Sequence, residues 1–155
     1  MKRLPETADE LHAIAKSLGA DGKSVHLQLA ATETNVKKAD LTHTRVLAFA
    51  THGLMAGDFK GLAEPALVLT PPEIGTDLDD GLLTASEIAQ LKLNADWVIL
   101  SACNTAAADG TPGAEGLSGL AKAFFYAGSR CICLTSRTLA IAPRENSAAT
   151  LTPRD

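Results

Sequence analysis

At 155 residues, 46% hydrophobic and 21% charged, the chain has the make-up of one globular unit and not of a disordered or fibrous protein. A formal net charge of -4 and a pI near 5.5 exclude a phosphate-neutralising surface, and the adjacent Lys37 and Lys38 stand close to Asp40, so nucleic acid is not an expected partner. No stretch approaches the roughly 20 apolar residues that span a bilayer, and Met1-Lys2-Arg3 leads into Pro5, Glu6, Asp9 and Glu10, so no membrane contact and a cytoplasmic location are expected.

Along the chain, Thr7 and Glu10 have the spacing of a capping box, and Leu11, Ile14, Ala15 and Leu18 then recur on one helical face until Gly19. After Asp21-Gly22, the alternation Val25-His26-Leu27-Gln28-Leu29 predicts a half-buried strand. Thr32 to Ala39 reads as a short helix, and Arg45 to Thr51 as an apolar strand covered on both faces. Gly57, Gly61, Pro65, Pro71, Pro72 and Gly75 break up the next stretch into loop around one further strand, Ala66 to Thr70.

A second capping box, Thr84 with Glu87, opens a helix through about Leu91, and Trp97 to Leu100 is another doubly buried strand running into Ser101-Ala102-Cys103. Glu115 to Ala127 is helical with Gly128 as its stop, and Cys131 to Leu134 is a last strand. Strands alternating with helices predict an α/β layer fold with a mainly parallel sheet, whose chemistry gathers where the strands end. The residues 137–155 carry neither period and form an irregular tail, leaving 1–136 as the domain.

Two of the apolar strands end in groups suited to acyl transfer, Thr51-His52-Gly53 and Ser101-Ala102-Cys103-Asn104. A thiol of ordinary pKa is mostly protonated at neutral pH, so a hydrolytic Cys103 needs an imidazole to take its proton, and His52 is the candidate base. A glycine after the histidine lets the substrate approach the backbone, so the amides of Gly53 and Cys103 suit an oxyanion hole. The bland alternatives are a solvated strand-end histidine and a packing cysteine.

Three runs in order, Val46 to Gly53, Asp80 to Ile88 and Val98 to Ala106, together with Gly116-Leu117-Ser118 and the Ala127-Gly128 helix end, resemble the CHAT domain. CHAT domains are similar to caspases and separases, and Cys103 follows His52 by about 50 positions, close to the caspase spacing. The resemblance, over about Leu4 to Leu134, implies a three-layer caspase-like fold and a cysteine endopeptidase with a His52 and Cys103 dyad and an oxyanion hole of the Gly53 and Cys103 amides. It further implies a protein or peptide substrate, and tetratricopeptide-repeat regions or regulatory proteins as partners. No cofactor or metal is expected.

The departures from the family pattern bear on completeness. An apolar strand upstream of the first helix, usual and central in the family, has no counterpart before Thr7. The Trp-x-Val-x-Asp-like segment usual after the last strand is replaced by Ser136-Arg137-Thr138-Leu139-Ala140. An incomplete sheet, from a truncated gene or a frameshift, is therefore expected. The alternative function is a catalytically inactive CHAT fragment serving as an interaction module or remnant. A nucleotide-binding α/β domain is disfavoured, because no glycine-rich fingerprint follows a strand.

The remaining polar residues have milder expectations. His12, His26 and His43 lack cysteine or carboxylate neighbours at metal-ligand spacing. Asp77, Asp79 and Asp80 form an acidic loop read as solvated, with attraction for a basic side chain or a cation as the sharper alternative. Asp109 and Glu115 are candidates to flank a cleft. Cys131 and Cys133, about 6.6 Å apart along a strand, are poorly placed for a disulfide and read as reduced core residues.

Overall fold

The computed structural model describes residues 7–20, 22–58, 60–76, 79–103 and 113–135. A five-stranded sheet has the order β3-β2-β1-β4-β5, from β1 (Val46–Leu54), β2 (Ala66–Val68), β3 (Leu82–Thr84), β4 (Trp97–Cys103) and β5 (Ile132–Thr135). β1, β4 and β5 run parallel, while β2 and β3 pair antiparallel on the side of β1 away from β4. The helices are α1 (Thr7–Ser17), α2 (Glu33–Lys38), α3 (Ala85–Gln90) and α4 (Gly113–Ala127).

Local chemistry accounts for most of these boundaries. Thr32 caps α2 by accepting from the Asn35 amide, and Thr84 and Glu87 complete both halves of a capping box on α3. Gly128, at a φ of +111°, ends α4 in the left-handed region.

The sheet separates its two faces by alternation. Phe49 of β1 and its register partner Leu100 of β4 join Phe124 of α4 and Ile88 of α3 in the core. Val36 of α2 packs against that same cluster. One position on, Ser101 turns to the opposite face, where its hydroxyl meets Glu10 of α1. Helices thus cover both faces, giving three layers in a mixed α/β fold with a parallel centre.

Two expectations are corrected. The alternating segment Val25 to Leu29 is not a strand: 25–27 has no regular structure, and Gln28–Ala30 is a 3-10 turn with Gln28 at a φ of 49°. A two-residue period stabilises a strand only when a neighbour supplies ladder hydrogen bonds, and this segment has none among the described residues. Conversely, β3 has no signature in the sequence because Leu82-Leu83-Thr84 is too short to show a period; it forms because β2 lies alongside, with Leu67 opposite Leu83.

Among the described residues, part of one edge of β1 is open. The Trp97 amide donates to the Arg45 carbonyl and the Val98 amide to the Cys131 carbonyl, so alternate residues of β4 serve its two neighbours. By the same alternation the backbone groups of Val46, Ala48 and Ala50 turn away from β4. β2 pairs with β1 only at Gly53 and Leu54 and does not reach them, so among the described residues they have no ladder partner.

The entrance ends of the three parallel strands are tied by one carboxylate. Asp96 accepts from Arg45 Nε at 2.9 Å and from Arg130 Nη1 at 2.5 Å, and Arg130 also donates to Asn94 at 3.0 Å.

Candidate active site

The site begins with strand register. The unbroken apolar runs of β1 and β4 make them neighbours in the sheet, and the ladder proceeds from Val46 opposite Trp97 to His52 opposite Cys103. Register partners on adjacent strands stand about 4.8 Å apart at the backbone. His52 is half-buried inside β1, two residues before its end, and Cys103 is the last residue of β4. Gly53 follows His52 within the strand, opposite Leu67 of β2.

Two hydroxyls brace this end of the sheet. Thr51 donates to the Val68 carbonyl, holding β1 to β2 one residue before His52. Ser101 is 5% exposed and donates at 3.0 Å to Glu10 Oε2, two residues before Cys103. Since Ala50 is the partner of Ser101, and His52 follows Ala50 by two, His52 shares the face of the sheet on which α1 lies. Sequence reasoning missed this link, because 91 residues separate its partners.

A second polar cluster, also missed, lies around α2. Glu33, 1% exposed, accepts from Lys37 Nζ and from the amides of Asp80 and Gly81, while Lys37 also donates to Glu87 at 2.8 Å. Burial pushes the Glu33 carboxyl above its ordinary pKa, against the opposing Lys37 bond. For Glu87 burial acts in the same direction, but the Lys37 bond and those from Thr84 outweigh it and leave its carboxyl low. Burial pulls Lys37 down, yet its bonds to the two glutamates leave it above the usual lysine value. The Arg45 hydrogen bond, followed by that of Arg130, holds Asp96 low.

The acidic loop differs from its solvated expectation. Asp79 is 7% exposed, and its Oδ2 accepts from the backbone amide and hydroxyl of Thr34, while its buried Oδ1 has no hydrogen-bond partner among the described residues. A carboxylate that closes a loop onto a helix start is buried by the helix it caps. Asp80 is exposed and accepts from the Leu82 amide, and Asp77 lies outside the described residues.

Of the other candidates, His12, His26 and His43 are exposed, and among the described residues no group of three or more His, Cys, Asp or Glu could hold a metal ion. Cys131 and Cys133 are half-buried free thiols. Glu115 lies in α4, whereas Asp109 and the tail from residue 137 lie outside the described residues. No helix among the described residues is long and apolar enough to cross a membrane.

Comparison with known proteins agrees with the motifs and the fold. No curated protein and no solved structure matches the chain. The family model described as the CHAT domain matches residues 1–142. CHAT domains are a caspase-like, peptidase-related family, and an α/β sheet with a parallel centre is compatible with that relationship. With the match running over most of its length, this chain belongs to the CHAT domain family.

Proposed function

We propose that the chain is a cysteine-type endopeptidase domain in which Cys103 is the nucleophile and His52 the general base. The observation that carries this reading is the backbone register, in which His52 and Cys103 are partners on neighbouring parallel strands. In the reaction, His52 takes the thiol proton as sulfur attacks a peptide carbonyl, and the amides of Gly53 and Cys103 donate to the resulting oxyanion. His52 then protonates the departing amine, and water, deprotonated by the same imidazole, releases the acyl group. The substrate is a protein or peptide, and tetratricopeptide-repeat regions or regulatory proteins are the partners that family membership suggests.

The test is peptide cleavage together with labelling by a thiol-reactive peptide probe. Cys103→Ala should abolish cleavage, and His52→Ala should slow labelling at Cys103 while leaving Cys131 and Cys133 unaffected. Equal cleavage by Cys103→Ala and the parent would refute the reading.

The open edge of β1 favours a second reading, a non-catalytic interaction module. The backbone groups of Val46, Ala48 and Ala50, which have no ladder partner among the described residues, template association with another extended segment. Under this reading the chain elutes as a concentration-dependent oligomer and cleaves nothing, whereas a cooperative, monomeric unfolding transition with cleavage activity rejects it.

A further inference from the structure

We infer that Glu10 is a positioning residue for the His52 and Cys103 pair, acting through its hydrogen bond with Ser101; this rests on the peptidase reading above. The helix that carries Glu10 has no buried residue. Leu11, Ile14 and Ala15 are only half-buried, and α1 leans on β1. A helix with so little apolar attachment is placed by its polar contacts, and here the partner is unusually well fixed. Ser101 lies in the middle strand of the parallel set, is 5% exposed, and directs its hydroxyl to Glu10 Oε2 at 3.0 Å. A hydrogen bond from a buried hydroxyl to a carboxylate is among the stronger kinds, and breaking it leaves the hydroxyl unsatisfied.

The location gives this bond its consequence. Ser101 precedes Cys103 by two residues and its partner Ala50 precedes His52 by two, so the bond sits about 6.6 Å along the strands below the register pair. It lies on the same face as His52. α1 therefore packs on the face of the sheet that carries His52, and the Glu10 bond sets how closely the helix approaches that face. Without it α1 lifts, and His52 gains rotamers that do not reach the thiol.

The experiment is the rate of iodoacetamide labelling at Cys103 in the full chain. It is read by mass spectrometry of the Cys103 peptide between about pH 6 and pH 10, so that all three cysteines are followed separately. Glu10→Ala and Ser101→Ala should each slow Cys103 labelling at neutral pH about tenfold, and the double variant should be no slower than either. Glu10→Gln, whose amide oxygen still accepts from Ser101, should stay within about threefold of the parent. All should converge at alkaline pH, where the thiol ionises without help from His52.

Labelling of Glu10→Ala at the parental rate at neutral pH, or a deficit that persists undiminished at alkaline pH, overturns the inference. The two readings fail differently. If His52→Ala labels like the parent, the peptidase reading falls and this one with it. If His52→Ala is slow and Glu10→Ala is not, only the positioning role falls. Should Glu10→Ala fail to fold, the comparison of Ser101→Ala with Glu10→Gln still decides between these outcomes.

Discussion

The ring of Phe49 lies 5.6 Å from that of Phe124, tilted by 41°. This contact joins β1, the strand that carries His52, to α4, and Phe124 is fully buried. Aromatic pairs in contact at this separation add to the stabilisation from the area they bury. Phe124→Ala should therefore destabilise the protein by about 3 to 5 kcal/mol, with Phe124→Leu closer to the parent. Urea denaturation followed by circular dichroism measures the difference, and a loss below about 1 kcal/mol would show that the core closes over the missing ring.

Gly128 stops α4 where its backbone meets Leu93. A Cβ there would lie 2.4 Å from the Leu93 carbonyl oxygen, and the φ of +111° suits glycine alone. Both the contact and the conformation oppose any side chain, so Gly128→Ala should cost about 2 to 4 kcal/mol. A melting temperature equal to that of the parent would contradict this.

The Glu33 cluster predicts a pH-dependent phenotype. Burial raises the folded pKa of Glu33 above its unfolded value, so its contribution to stability is complete below the unfolded pKa and declines as pH rises through the folded one. Lys37 is the cation that offsets the charged form. Lys37→Met should thus lose about 3 kcal/mol at neutral pH and clearly less near pH 4, where Glu33 is increasingly neutral. Chemical denaturation at the two pH values reads the difference; an equal loss at both removes the explanation.

Asp96 has the opposite sign. Its arginine partners depress the folded pKa, so its contribution is present above the ordinary carboxylate value and is lost as pH falls through the folded one. Asp96→Asn should lower the melting temperature at neutral pH, with a gap to the parent that closes by about pH 2. A gap that stays constant across the acid range would assign the effect to packing instead of charge.

These cases show which features a linear sequence reveals. The apolar runs at β1 and β4 need no partner to be recognised, and unbroken runs of this kind are the mark of parallel strands, so the ends carrying His52 and Cys103 were legible; the cover on both faces was not, since most of β1 is only half-buried and Trp97 is exposed. Thr84 and Glu87 announce α3 because a capping box is local. Val25 to Leu29 has the period of a strand and no ladder, because pairing depends on residues far away in the chain. Asp79 looked solvated since nothing nearby indicates that Thr34 arrives to cover it. The Ser101 bond to Glu10 is hidden in the same way, as a contact created wholly by the fold.

The half-paired strand will divide its own amides into two classes. Leu47, Phe49 and Thr51 turn their N–H groups toward β4, whereas those of Val46, Ala48 and Ala50 turn toward the open edge. Deuterium uptake along β1 should then read as a comb, with slow teeth at the odd-numbered positions and fast ones between them. Any molecule that settles along this margin would erase the comb, turning a six-residue fingerprint into a direct reporter of its arrival.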